Sequence, residues 1–410
     1  MSISKESAQM EDFMNTVLAQ AITDQASDIH IEPLSQEMRI RFRIDGIMVE
    51  KWRRPLYEFE PLSNRIKVLA NFDISTHNVP QDGHLLATVF VAPAQGALPA
   101  AGATVAQAPL PPIPHQLSLR VSLFPTLDGE AIVFRLLNRE NMLLPITALG
   151  MDDDTLARFK KLIAKDYGMV LITGPAGAGK TTTLYSLLQT LRTKEKNIVT
   201  LEDPVELRLE DIQQSQVYAD HGLTFASGMR SILRQDPDVI MVGEIRDPET
   251  AENAVRASLI GRVVLSTIHA NTTLGTIPRL IDMNVDRSLI AYALNGIVAQ
   301  RLVRKICPNC QVNYTPHQEF LAYFKLDSSQ HTFIKGSGCD NCRHTGYKGR
   351  TGLFEVLYFD DTVQTLIIER QPMKALEEYV ATSGMKTLKQ DAIDKALAGI
   401  TTLEEAGKVV

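Results

Sequence analysis

Residues 174–188 read GPAGAGKTTTLYSLL, and the fold follows from this stretch. Gly174, Gly179, Lys180 and Thr181 fit the spacing G-x-x-x-x-G-K-[ST]. The context is the one this spacing needs. The apolar run YGMVLITG, residues 167–174, predicts a strand before it, and a helix is predicted from Lys180. From Gly174 through Pro175, Ala176, Gly177 and Ala178 to Gly179, the glycines let the backbone curl so that main-chain N–H groups face phosphate oxygens. Lys180 reaches the terminal phosphates as a point charge, the Thr181 hydroxyl ligates Mg²⁺, and Thr182 completes the first turn. The positive end of the helix dipole adds to the attraction. The loop therefore predicts a bound nucleotide and leaves open what it is spent on.

Working outward, apolar strands alternate with helices: NIVTLEDP, a helix around Met229–Leu233, DVIMVGE, the helix PETAENAVRASLI, then RVVLSTIHA. This alternation predicts a parallel sheet with helices on both faces. Ligands of such sheets bind at the carboxyl ends of the strands, and three strands end there in acids or histidine. TLEDPVE, residues 200–206, supplies Glu202, Asp203 and Glu206; DVIMVGEIRD supplies Glu244; VVLSTIHA supplies His269. Phosphoryl transfer to water needs mainly positioning and charge stabilisation around the γ-phosphate. Carboxylates that hold a metal ion or polarise water, together with an arginine from another domain or subunit, complete that set.

The four cysteines all fall late, as CPNC (Cys307, Cys310) and CDNC (Cys339, Cys342), with 28 residues between the pairs. Two such pairs match a structural four-thiolate zinc site, which leaves no open position for catalysis. Toward the other end, Met10, Phe13, Met14, Val17, Leu18, Ala21 and Ile22 form one apolar helical stripe, read as core packing. MRIRFRID alternates Met38, Ile40, Phe42 and Ile44 with Arg39, Arg41 and Arg43, and Asp45-Gly46 is a two-residue hairpin turn. The basic strand face is read as solvated. Residues 92–115 hold eight Ala, six Pro and two Gly with no charged residue, predicting a mobile excursion at a hairpin tip between QDGHLLATVF and LSLRVSLF.

Composition narrows the function. Apolar residues are 44%, charged residues 22%, and the net charge is −6. That balance is ordinary for a soluble globular chain and argues against nucleic acid as the main partner. No apolar run approaches the ~20 residues that span a bilayer, and the polar N-terminus lacks a signal-peptide core. A cytoplasmic location is expected, with docking at a membrane left open.

In these motifs the chain resembles the GspE/PilB-type secretion, type IV pilus-assembly and competence ATPases. ASDIHIEP, RFRIDG and RIKVLANFDI look like that family's N-terminal domain; GPAGAGKTTTLYSLL looks like its Walker A. TLEDPVE resembles its Asp box, LRQDPDVIMVGEIRD its Walker B region and RVVLSTIHANTT its His box. QRLVRKICPNC with GCDNCRHTGYKGRTGLFEVL resembles the tetracysteine segment of assembly-type members, a segment that retraction motors generally lack. The resemblance runs from about residue 10 to the end.

It implies an α/β protein: an N-terminal α+β PAS-like domain (1–140), a linker (141–149), and a RecA-like parallel-sheet P-loop ATPase domain (150–410). The last includes a zinc lobe at about 305–345 and a helical part at 350–410. It implies a hexamer using ATP, Mg²⁺ and Zn²⁺, working on an inner-membrane platform protein without direct nucleic-acid contact. Carried over, Glu206 is the catalytic base, Glu244 the Walker B acid and His269 the supporting His-box residue. Glu202 and the loop residues contact nucleotide, and Arg65 and Arg120 reach the γ-phosphate or an interface. Family members often read QDGR where this chain has QDGH, with His84, and carry a basic residue where Asn78 stands. The PAS-like motifs begin within ~30 residues of Met1, so the extra N-terminal docking domain of many relatives is expected to be absent. The competing expectations are a RecA-like nucleic-acid motor, a retraction ATPase of the same superfamily, and a small-molecule kinase.

Overall fold

The computed structural model describes residues 2–91, 113–137 and 142–410, and the chain divides into two units, Met1–Arg139 and Glu140–Val410. The first comprises helix α1 (Ser2–Thr23), strands β1 (Asp28–Pro33), β2 (Glu37–Ile44) and β3 (Ile47–Pro55), helix α2 (Phe59–Leu69), and strands β4 (Gln81–Val91), β5 (Ile113–Thr126) and β6 (Gly129–Leu137). The strands form one antiparallel sheet in the order β3-β2-β1-β6-β5-β4.

Period-two alternation sends Met38, Ile40, Phe42 and Ile44 inward, where they meet Val17, Leu18 and Ala21 of α1 and Leu62 and Ile66 of α2. Asp45 and Gly46 both have positive φ, 48° and 85°, the geometry that a two-residue hairpin matched to strand twist requires. The arginines on the opposite face of β2 are paired within their own sheet. Arg39 and Arg41 bind Glu32, and Arg43 lies 3.6 Å from Asp28. Residues 113–115, expected in the Ala/Pro excursion, begin β5 instead, because they continue the ladder with β4. The remainder of that excursion lies outside the described residues.

Lys67 and Glu130 form a buried ion pair in this unit. Lys67 is fully buried, with its Nζ 2.7 Å from Glu130 Oε2 and 2.8 Å from the Thr76 carbonyl.

The second unit contains strands β7 (Gly168–Thr173), β8 (Ile198–Glu202), β9 (Gln213–Gln216), β10 (Val239–Val242), β11 (Val263–Ile268) and β12 (Leu294–Ile306), then β13 (Gln311–Tyr314), β14 (Phe333–Gly336) and β15 (Tyr347–Tyr358). Its helices are α3 (Asp153–Ile163), α4 (Lys180–Leu191), α5 (Phe225–Ile232), α6 (Pro248–Leu259), α7 (Thr273–Asp282), α8 (Arg287–Ala293), α9 (Gln318–Phe324), α10 (Asp361–Ile368), α11 (Met373–Thr382), α12 (Leu388–Leu397) and α13 (Leu403–Ala406).

The main sheet has the order β15-β12-β7-β11-β10-β8-β9. Every neighbouring pair in it is parallel except β12–β15. Both faces are covered. Met169 and Leu171 of β7 pack into one core with Ala254 and Ile290, while Val170 and Ile172 pack into the other with Leu184 and Leu188.

The region expected to be helical from residue 350 begins as strand. Gly352–Leu357 is a continuous buried run on the antiparallel edge strand, and a strand covered on both faces shows no alternation to betray it. Among the described residues no helix is long and apolar enough to cross a membrane.

The buried pair in the first unit gives a stability prediction. Glu130→Ala strands the Lys67 ammonium and lowers the unfolding free energy by about 3–5 kcal/mol, whereas Lys67→Met with Glu130→Leu is near neutral. Urea unfolding of the two variants checks this, and equal losses in both contradict it.

Candidate active site

β7 brings the chain to the carboxyl edge of the parallel sheet at Thr173, and the turn that follows leaves little room. Gly174 has φ +150°, and a Cβ there would lie 2.5 Å from the main-chain oxygen of Gln300 on β12. Gly179 caps α4 in the left-handed conformation, φ +87°, with the Gln300 side chain 2.9 Å from where its Cβ would stand. Gln300 is buried and its Oε1 accepts from Thr183 Oγ1 at 2.7 Å. β12 therefore forms the floor on which the turn and the first turn of α4 rest. Pro175, Ala176 and Gly177 are exposed at the rim, and Ala178 is buried beneath it.

Lys180 folds back over this turn, donating to the carbonyls of Gly174 at 2.7 Å and Pro175 at 3.0 Å. Burial lowers its pKa from the ordinary lysine value; the nearby Glu244 carboxylate opposes that shift and Arg301 adds to it. A partly desolvated ammonium at a helix start is a strong attractor for phosphate.

The strand-end residues meet at this point. Lys180 and Thr181 line one cavity of about 260 Å³ together with Glu202, Glu206, Glu244 and His269. Glu202 ends β8 and is buried. Its Oε2 accepts from the Tyr185 hydroxyl at 2.6 Å, and its Oε1 from Thr200 Oγ1 at 2.6 Å and Gln214 Nε2 at 3.0 Å. Both oxygens are thus engaged by the protein, and Glu202 shapes the wall of the cavity more than its centre. Glu244 follows β10, pairs with Arg246, and lies 3.4 Å from His269 Nε2.

The loop carrying His269 is held from two sides. Thr173 Oγ1 donates to the Ala270 carbonyl and accepts from the Ala270 N–H, each at 2.8 Å, and Arg301 Nη2 donates to the Asn271 carbonyl at 2.8 Å. Arg65 and Arg120 belong to the first unit. Arg65 on α2 donates to Glu11 at 2.9 Å, and Arg120 on β5 stands between His84 of β4 and Arg135 of β6.

The sequence did not mark Tyr185, Arg246, Gln300 or Arg301. Arg246 and the Gln300-Arg301 pair lie inside stretches read for a strand-end acid and for the cysteines. Only the long-range packing gives these residues a part.

The four cysteine sulfurs all lie within 4.8 Å of one another. Cys307–Cys339 and Cys310–Cys342 are 3.8 Å apart and Cys339–Cys342 3.7 Å. Four thiolates placed ~2.3 Å from a tetrahedral centre stand about 3.8 Å from each other, so the set fits a metal ion. Burial raises the Cys310 thiol, to about 11, whereas at Cys342 the N–H groups of Cys339 and Gly346 and the neighbouring thiols outweigh burial and bring it down to about 6.

A glycine-built phosphate cradle at a helix start, faced by strand-end carboxylates of a parallel sheet, defines a P-loop nucleotide-binding fold. The chain belongs to the family described as type II/IV secretion system protein, whose profile matches residues 4–104 and 110–408. It is 40% identical to the type IV pilus assembly ATPase PilB of Myxococcus xanthus, over 99% of this chain and 68% of that one. It is 42% identical to the type II secretion system protein E of Dickeya dadantii, over 97% of this chain and 74% of that one. Two solved structures share the fold. The ATPase DotB of Legionella pneumophila has a TM-score of 0.67 at 22% identity, covering 97% of this chain and 95% of that one. The pilus retraction motor PilT with bound ADP has 0.62 at 24%, covering 97% and 96%.

Gly174 tests the cradle. Gly174→Ala forces a Cβ against the Gln300 oxygen in a backbone region reserved for glycine, a strain of about 1–3 kcal/mol. Nucleotide affinity, read with a fluorescent ATP analogue, falls about tenfold or more; unchanged affinity contradicts the geometry.

Proposed function

We propose that this chain is the ATP-hydrolysing motor of a type IV pilus-assembly, type II secretion or competence apparatus. It works as a homo-hexamer at the inner face of the cell membrane on a platform protein. The observation that carries this is the single cavity in which Lys180, Thr181, Glu206, Glu244 and His269 meet, in a chain of the secretion family.

The shared cavity supports the following roles. The loop N–H groups and Lys180 hold the phosphates, and the Thr181 hydroxyl with Glu244 would hold Mg²⁺. When bound, that ion neutralises phosphate charge. Glu206 takes a proton from a water molecule whose oxygen attacks the γ-phosphorus. The bond from that phosphorus to the β–γ bridging oxygen breaks, and ADP and inorganic phosphate leave. His269 orients Glu244, and Arg65 and Arg120 supply the positive charge for the γ-phosphate or a subunit contact.

The relatives at 40–42% identity are, by name, a type IV pilus assembly ATPase and a type II secretion system protein, which favours assembly over retraction. The net charge of −6 disfavours a motor that tracks nucleic acid. The four cysteines are assigned one zinc ion, tying the turn after β12 to the start of β15.

Lys180→Ala folds and forms rings but hydrolyses no ATP and assembles no pilus; a fully active variant overturns the assignment. Elemental analysis of the purified protein finds about one zinc per chain, as expected of a four-thiolate site. A well-folded sample without zinc refutes that part.

A further inference from the structure

Tyr185 sits on α4, in the same helix as Lys180, and its side chain is fully buried among Leu184, Leu188 and Met241. A phenylalanine would fill that space. A buried hydroxyl is retained at a cost unless it is hydrogen-bonded, and this one has partners on both sides. It donates to Glu202 Oε2 at 2.6 Å at the end of β8 and accepts from the Leu207 N–H at 3.4 Å, the residue after Glu206.

The rest of this loop is tied to β9. Val205 N–H donates to Gln216 Oε1 at 3.2 Å, Leu209 N–H donates to Gln214 Oε1 at 2.7 Å, and Gln214 Nε2 donates to the Leu207 carbonyl at 2.9 Å. Tyr185 brings the phosphate-binding helix into that set. Burial and the Glu202 carboxylate push its phenol well above the usual tyrosine range, so it stays a donor.

We propose that the Tyr185 hydroxyl is a positioning group that transmits the placement of the phosphate-binding helix to the loop bearing Glu206. The inference rests on Glu206 acting as the group that activates water. Tyr185 touches neither nucleotide nor water in this account; it acts by setting where the Glu206 main chain lies relative to α4. Its loss therefore lowers turnover through Glu206 while leaving the phosphate cradle intact.

Steady-state hydrolysis by the full chain tests this, with thermal melting to confirm folding. Tyr185→Phe lowers kcat about tenfold, the equivalent of one lost hydrogen bond, with KM for ATP within about twofold. Glu206→Gln lowers kcat further, and adding Tyr185→Phe to it lowers kcat no more, because both act at one step. Thr200→Val, which removes a donor to Glu202 without touching the loop, keeps kcat within about threefold. Should Tyr185→Phe fail to fold, Gln214→Met, which removes two of the three bonds from this loop to β9, shows the same loss of kcat at constant KM.

Full activity of folded Tyr185→Phe, multiplying losses in the double variant, or an equal loss in Thr200→Val overturns the inference. Full activity of Glu206→Gln instead overturns the assignment of the base, a separate outcome.

Discussion

The second unit is organised around one close approach. The turn from Gly174 to Gly179 lies against Gln300 of β12, with no space for a side chain at Gly174. Because the sheet is covered on both faces, β7 and β12 cannot slide apart to relieve that contact. The turn is therefore held in one shape, and the start of α4 is fixed with it. Lys180, closing over the turn on the Gly174 and Pro175 carbonyls, rests where an incoming phosphate can compete for its ammonium.

Around this fixed point the carboxylates divide the work by environment. Glu202 is buried and accepts from Tyr185, Thr200 and Gln214, so it serves as an internal strut. Glu244 stands between Arg246 and His269, a site where charge is balanced but not buried away from the cavity. Glu206 sits on the loop that Tyr185 and Gln214 hold. The hydroxyls of β11 extend the same logic to the neighbouring strand: Thr267 Oγ1 donates to the Gly243 carbonyl at 2.8 Å, steadying the backbone just before Glu244. With the Thr173–Ala270 bonds, the ends of β7, β10 and β11 are locked to each other by short side-chain bonds to main-chain groups, and the geometry of the cavity is a property of the sheet edge as a whole.

Much of this was legible in the sequence wherever a short span encodes its own geometry. The glycine-lysine spacing, the Asp45-Gly46 turn, the alternating run of β2 and the paired CxxC motifs each specify local backbone that tertiary context then keeps. Two kinds of feature were not legible. β15 is buried on both faces and shows no period, so its run GLFEVL could not be told from a helical segment. Gln300, Arg301 and Tyr185 matter because β12 and β8 come to lie beside the P-loop helix, and no local spacing records a neighbour more than 100 residues away, as in the Thr183–Gln300 bond. Glu202 was read as a nucleotide contact from its strand-end position; the donors that occupy it come from an adjacent helix and strand.

The central claim is that acids and an imidazole from separate strands converge on the phosphate held by this turn. A structure of the full chain with Mg²⁺ and a non-hydrolysable ATP analogue measures that directly. The account predicts the γ-phosphate within hydrogen-bond reach of Lys180 Nζ, the lysine released from the Gly174 and Pro175 carbonyls, and Glu206 and Glu244 both facing the terminal phosphate. A nucleotide bound away from the turn, or either carboxylate turned out of the cavity, contradicts it.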